Sequence, residues 1–108
     1  MDNLSIKAKI IYATMDQLGA YNRDNKVTSY TILDYIIEQN EELYEHPIFK
    51  NMPEEDFMDI TIEINIKSVS AILTSLARKN IIIGTEPMNI KVNGTNRNLK
   101  QYYINKKL

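Results

Sequence analysis

The stretch that decides the fold is IKSVSAILTSLARKNII, residues 66–82. Its larger apolar residues recur at the spacing of three and four that places side chains on one side of an α-helix: Val69, Ile72, Leu73 and Leu76. The opposite side carries small, hydroxylated or basic residues and no acidic one: Lys67, Ala71, Thr74 and Arg78, with Ser70 and Ser75 at its margins. We therefore predict a helix over residues 66–80 that buries one face and exposes a polar, basic one.

A β-hairpin is predicted after this helix. The isoleucines at 81–83 form a short strand, and polar and apolar residues then alternate over residues 88–92 and again over 99–104. The dipeptide Asn93-Gly94 between the two runs is typical of a tight turn. We predict a hairpin over residues 88–104 with a polar, flexible tip, residues 93–98, that carries Arg97.

Two helices are predicted upstream. Residues 4–18 carry one apolar stripe (Leu4, Ala8, Ile11, Met15, Leu18) and a second one roughly opposite (Ile6, Ile10, Ala13), with Gly19 as the stop. A helix that is apolar on two sides is either enclosed within its own domain or shared with a partner subunit, and both alternatives stay open here. Thr28 can cap a second helix that runs on through Leu43 and Tyr44 to His46-Pro47.

Residues 46–64 allow two interpretations. Pro53 followed by three acidic residues is typical of the first turn of a helix. The isoleucines at 60, 62, 64 and 66 alternate with polar residues, which is strand periodicity. The sequence therefore predicts a loop or a short extra helix over residues 46–58, and over residues 60–66 either a short extra strand or a direct run into the next helix.

Residues 66–104 resemble a winged helix-turn-helix domain, in particular the MarR-type bacterial and phage regulators. The matching positions are Val69, Ile72, Leu73, Leu76, Lys79, Asn80, Ile81 and Ile82. The resemblance implies an α+β fold of three main helices and a C-terminal β-hairpin wing, with residues 1–108 as a single domain. The sequence departs from the family pattern before the third helix, where about twenty residues, many of them acidic, replace the usual tight turn.

The charge of the chain is strongly polarised. Residues 1–64 hold 5 Lys and Arg against 13 Asp and Glu, a balance of −8, whereas residues 65–108 hold 8 against 1, a balance of +7. Such a chain can present a basic face to DNA although its net charge is −1. We expect helix 66–80 to read the major groove and hairpin 88–104 to contact the minor groove or the backbone. The predicted DNA-binding residues are Lys67, Ser68, Ser70, Ala71, Thr74, Arg78, Lys91, Arg97 and Lys100.

Several classes of function fit the sequence poorly. With His46 as the only histidine and no cysteine, neither a Ser-His or Cys-His nucleophile nor a multi-histidine metal site can be assembled. The acidic group Glu54, Glu55, Asp56 and Asp59 lacks the glycine and spacing of a calcium loop, and no Gly-rich phosphate loop occurs. We expect no catalysis, cofactor or metal, no membrane span or signal peptide, and a cytoplasmic protein.

The main hypothesis is therefore a transcriptional regulator that binds double-stranded DNA, as a homodimer through helix 4–18 whose two recognition helices lie about one helical turn of DNA apart. A second hypothesis is a phage or host protein-interaction adaptor that uses the acidic segment 34–63. This segment contains ten acidic residues and one basic residue, Lys50. A third, the DNA-binding domain of a phage or plasmid replication initiator, differs from the first only in what it recruits.

Overall fold

A computed structural model of the chain describes residues 3–106 and shows an α+β arrangement. The helices are α1 (Ile6–Gln17), α2 (Ser29–Glu38), α3 (Asn40–Tyr44), α4 (Glu54–Glu63) and α5 (Ile66–Arg78), with 3₁₀ turns at Arg23–Asn25 and Pro47–Phe49. The strands are β1 (Ile82–Gly84), β2 (Met88–Val92), β3 (Thr95–Leu99) and β4 (Tyr102–Ile104).

Three helices, α1, α2 and α5, pack against one another and form the centre of the core. Each contributes large side chains that are almost completely buried: Ile10, Ile11 and Met15 from α1, Ile32 and Ile36 from α2, and Val69, Leu73 and Leu76 from α5. The apolar face predicted for residues 66–80 is thus the buried face of α5, although Ile72 lies at its half-buried margin. The helix ends at Arg78, and Asn80 follows in the left-handed region with φ +61°.

The first helix is enclosed on both of its apolar sides. Ser5 caps it by accepting a hydrogen bond from the Ala8 N–H, and Gly19, with φ +70°, follows its end. Ile11 and Met15 of the first predicted stripe are fully buried, and so are Ile10 and Ala13 of the second. The enclosed alternative is therefore the one observed, and the homodimer remains a prediction without support from the helix that suggested it.

The second predicted helix is not continuous. It breaks at Gln39, whose φ of −123° and ψ of 32° are not helical, so that α2 ends at Glu38 and the short helix α3 follows. The break turns Leu43 into the core, where it is fully buried, and brings the Tyr44 ring to 5.1 Å from the Phe57 ring. Burial of these two side chains outweighs the local preference for a longer helix.

The helix α4, Glu54–Glu63, confirms the predicted extra helix, and the predicted strand is wrong. Pro53 precedes the first residue of α4, and the acidic residues at 54–56 occupy its first turn, where the helix dipole favours negative charge. Phe57 and Thr61, four residues apart, are buried, whereas Ile62 is 82% exposed. Of the alternating isoleucines, Ile60 and Ile62 thus lie in α4, the buried Ile64 follows its end, and Ile66 begins α5.

The strands form two separate antiparallel pairs. β1 pairs with β4, with Ile82 opposite Ile104, and Val27 adds a single bridge to Tyr102. β2 pairs with β3 in a hairpin, residues 88–99, which we call the arm. The predicted single strand over 99–104 is wrong, because the backbone leaves the arm at Lys100 and Gln101, where the Gln101 N–H donates to the Thr85 hydroxyl.

The tip of the arm is shorter than predicted. The turn consists of Asn93 and Gly94 alone, both with positive φ, and residues 95–98 belong to β3. A two-residue turn of this kind matches the right-handed twist of the strands, which explains why pairing begins directly after it. Arg97 therefore lies in a paired strand, opposite Ile90, and not on a flexible tip.

Candidate nucleic-acid interface

Helix α5 begins with a capping box that fixes its first turn. The Asn65 side chain accepts from the Ser68 N–H, and the Ser68 hydroxyl accepts from the Asn65 N–H, both at 2.9 Å. These bonds satisfy backbone donors that the helix leaves free at its start. Ser68, predicted as a DNA-binding residue, is half-buried and has its hydroxyl engaged in this cap.

The opposite side of α5 is open to solvent along its whole length. We call it the α5 face; its members are all exposed: Lys67, Ser70, Ala71, Thr74 and Arg78. The only ion pair within residues 3–106 joins His46 and Asp16. Neither cation of the α5 face is therefore neutralised by a carboxylate. The Thr74 hydroxyl donates to the Ser70 carbonyl at 3.0 Å and also lies within hydrogen-bonding reach of the Tyr102 phenol.

A groove of about 450 Å³ runs along the C-terminal half of α5. Thr74 and Arg78 line its helical side, and Lys100 and Tyr102 line the side formed by the end of the arm and β4. The structure thus brings together three of the predicted residues, Thr74, Arg78 and Lys100, although they come from distant parts of the sequence. This arrangement places two cations and a hydroxyl around one open groove.

Tyr102 forms one wall of that groove. Burial raises the pKa of its phenol, and the hydrogen bond with Thr74 opposes that rise without cancelling it. Gly84 makes room for the ring, since a Cβ there would lie 3.0 Å from Tyr102 Cε2. Sequence reasoning did not single out either residue, because their proximity depends on the pairing of β1 with β4; the only local signal is a glycine directly after three isoleucines.

The predicted residues of the hairpin are not all together. Lys91 and Lys100 are exposed, but Lys91 lines a separate cleft of about 340 Å³ that it shares with Thr28 and Tyr30. The Arg97 guanidinium lies over the Tyr30 ring, 5.3 Å from its centroid. Arg97, expected on the hairpin tip, instead lies in β3 and makes this cation–π contact with α2.

His46 has a structural position. Its Nδ1 accepts from the Ile48 N–H at 3.1 Å, so that Nε2 carries the proton and donates to the Asp16 carboxylate at 2.7 Å. The Tyr21 hydroxyl donates to the same carboxylate. Burial raises the pKa of Asp16, but the hydrogen bonds from Tyr21 and His46 outweigh it and lower the pKa below its ordinary value. The bond to Asp16 raises the pKa of Tyr21 to about 12.

The acidic group at 54–59 does not gather into a site. No three histidine, cysteine or carboxylate side chains in the described part of the chain, residues 3–106, are placed to hold a metal ion. Glu54, Glu55, Asp56 and Asp59 are exposed on α4.

No family model, curated protein or solved structure matches this chain. Among residues 3–106, no single helix has the length and hydropathy to cross a membrane. Helices α4 and α5 have the required length and hydropathy only when taken together, and a bend of 101° separates them.

Proposed function

We propose that this chain binds double-stranded DNA as a winged helix protein, with α5 in the major groove and the arm beside it. The observation that carries the proposal is the α5 face: thirteen residues of helix whose outer side is exposed and free of acidic residues. A recognition helix covered by its own chain would be unable to reach a base, and Lys67, Thr74 and Arg78 are uncovered.

The shape of the α5 face fits a groove. The major groove of B-DNA is about 12 Å wide and admits a helix whose outer residues are small. Ser70, Ala71 and Thr74 are short, so the helix axis can approach the base edges, while Lys67 and Arg78 stand near its two ends where phosphates lie. These are the roles we assign: positioning by the two cations, and base contacts by Ser70, Ala71 and Thr74.

The distribution of charge also favours the side of the molecule that carries the α5 face as the DNA interface. The exposed cations of the C-terminal part include Lys79, Lys91 and Lys100 in addition to those of α5. With a local balance of 8 basic to 1 acidic residue over 65–108, this part of the surface attracts a polyanion although the whole chain has a net charge of −1.

We propose binding without catalysis, since both ring nitrogens of His46 are used in hydrogen bonds that shape the chain. Transcriptional regulation is the first role we propose, and replication initiation is the alternative that uses the same DNA contacts. The cytoplasmic location and the dimer are further expectations of this proposal.

The test is a salt titration of duplex binding by Lys67→Ala/Arg78→Ala and by the wild type, on sequences first selected from random DNA. Each cation that contacts a phosphate contributes about 0.9 to the slope of log affinity against log salt, so the double variant should lose up to about 2 in slope. Lys50→Ala is the matched control, because Lys50 is an exposed cation far from α5 in the sequence. An unchanged slope in the double variant would contradict the proposal.

A second candidate is a protein-interaction adaptor, favoured by one observation. Asp34, Glu38 and Glu42 line a groove of about 460 Å³ along α2 and α3, beside Tyr35. Failure of the wild type to retain any duplex at low salt, together with recovery of one stoichiometric basic protein, would favour this candidate over DNA binding.

A further inference from the structure

The groove of about 460 Å³ along α2 and α3, which we call the acidic groove, has the chemistry of a site for basic side chains. Three exposed carboxylates line it, those of Asp34, Glu38 and Glu42, and none of its described lining residues is basic. Leu18 and Tyr35 add half-buried apolar surface to its wall. A lysine or arginine side chain fits such a groove, because its stem is apolar and its charged head is attracted by carboxylates and by an aromatic ring.

The chain leaves its surface charges of both signs without partners. Across the described part of the chain, residues 3–106, no lysine or arginine forms an ion pair with an aspartate or a glutamate. The fold explains this separation, because α2 and α5 pack against each other through their buried sides and turn their polar sides outward. The carboxylates of the acidic groove and the cations of the α5 face therefore do not meet within one molecule, and both are free to meet another molecule.

The distribution of charge allows two copies of the chain to approach each other. Their net charge of −1 is small, so long-range repulsion between copies is weak. Residues 1–64 have a balance of −8 and residues 65–108 a balance of +7, so a head-to-tail arrangement places opposite charges together. The two halves of the chain are thus complementary to each other, whereas neither half is complementary to itself.

We infer that the acidic groove of one molecule binds the α5 face of a second copy of this chain. Lys67 and Arg78 of the second molecule supply the cations of the contact. Each pair keeps one free acidic groove and one free α5 face, so association can continue into a ring or a filament. Exposed ion pairs contribute little individually, which makes the assembly weak and dependent on salt. The partner is the chain itself, unlike the basic protein of the second candidate function, and the inference does not require DNA binding.

The experiment measures the mass of the purified chain by sedimentation at two salt concentrations. We expect a mass above the monomer value of 12.6 kDa at about 0.1 M salt, where the Debye length is about 10 Å. Near 1 M salt, where the Debye length is about 3 Å, the mass should return to the monomer value. A monomeric wild type at both concentrations would overturn the inference.

Charge reversal on each surface separates the two sides of the contact. Asp34→Lys/Glu38→Lys/Glu42→Lys and Lys67→Glu/Arg78→Glu should each be monomeric at about 0.1 M salt, because each then carries two surfaces of like charge. An equimolar mixture of these two variants should associate again, since the groove of each is opposite in charge to the α5 face of the other. Glu55→Lys/Asp59→Lys/Glu63→Lys is the matched control, because it reverses three exposed carboxylates outside the groove, and it should still associate. A mixture that stays monomeric would contradict the proposed pairing.

A disulfide test identifies the two surfaces directly. The chain has no cysteine, so Thr31→Cys in the acidic groove and Ser70→Cys on the α5 face each introduce a single thiol. When the two variants are mixed and oxidised, they should form a linked heterodimer about tenfold faster than Asn51→Cys mixed with Ser70→Cys, since a disulfide requires the two Cα atoms within about 7 Å. Asn51 is exposed outside the groove and is the matched control. Equal rates for the two mixtures would overturn the inference, while the duplex titration tests the proposed function separately.

Discussion

Helices α4 and α5 are neighbours in the chain, separated by Ile64 and Asn65. Their exposed sides carry opposite charges. Both bury an apolar side in the same core, through Phe57 in α4 and Leu73 in α5. The outer side of α4 carries five carboxylates and Ile62, whereas that of α5 carries two cations and short polar side chains. The buried faces of the two helices are alike, so only their exposed faces indicate a difference in function.

The core therefore determines where each helix lies, whereas the outer face determines which ligands can approach it. A polyanion can approach α5 and is repelled by α4, two residues away. The segment 39–65, which contains α3 and α4 and which we call the acidic connector, therefore borders the proposed interface and limits it.

The largest effect is expected from Phe57→Ala. The Phe57 ring is fully buried against the rings of Tyr44 and Phe49, at 5.1 and 4.9 Å between centroids. Its removal leaves a cavity, and we expect the free energy of unfolding to fall by about 3–5 kcal/mol, measured by urea denaturation. Ile62→Ala on the exposed side of the same helix should change it by less than about 0.5 kcal/mol. Equal effects of the two substitutions would show that α4 does not pack as described.

A smaller effect is expected from Asp16→Asn, which loosens the acidic connector at His46. Because hydrogen bonds hold the pKa of Asp16 below its ordinary value of 3.8, the carboxylate stabilises the fold above that pH and loses the contribution as pH falls further. At pH 7 we expect a loss of about 1 kcal/mol, kept small because Asp16 is about one-third exposed. As pH falls below 3.8 and through the lowered pKa of Asp16, the wild type and the variant should converge in denaturation experiments.

Tyr21→Phe provides the alkaline counterpart of that experiment. The pKa of Tyr21 is raised from 10.0 to about 12, so its contribution is complete below pH 10 and disappears as pH rises through 12. The stability difference between wild type and Tyr21→Phe should follow this window. A difference that is independent of pH up to 12 would contradict the bond between Tyr21 and Asp16.

The smallest effect is expected from Glu55→Gln/Asp59→Asn/Glu63→Gln, which neutralises the outer side of α4. Under the proposed function, removal of these charges beside α5 should raise duplex affinity by about two- to fivefold at low salt. Near 1 M salt, where the Debye length is about 3 Å, the gain should vanish. A gain that persists at high salt would mean that the variant acts through structure and not through charge.

Much of the fold was accessible from the sequence, because it depends on short-range periodicity. The buried face of α5, the proline-led start of α4 and the stop at Gly19 all follow from residues within a few positions of one another. The break at Gln39 was not accessible, since the apolar spacing continues across it to Leu43. Only the packing of Leu43 and Tyr44 against elements distant in the sequence decides that the helix turns.

The candidate site divides in the same way. The α5 face follows from helical rotation alone, and its exposure agrees with the prediction for Lys67, Thr74 and Arg78. Strand pairing determines the rest of the site, and a single sequence does not encode it locally. The groove that α5 shares with Lys100 and Tyr102 depends on it, and so does the contact of Arg97 with Tyr30. For the arm, the predicted turn was right in place and wrong in length, so Arg97 was assigned to the wrong kind of position.

The enclosure of α1 has a consequence for the kind of DNA sequence that would be recognised. Both apolar sides of α1 are buried within the chain, and residues 47–52 of the acidic connector face Ile6 and Lys9 at its start across a cleft of about 390 Å³. A protein whose first helix is closed off in this way imposes no twofold symmetry on its target through that helix. A dimer, which the proposed function still expects, would therefore have to form through another surface, and the half-site spacing of the selected DNA would report where that surface lies.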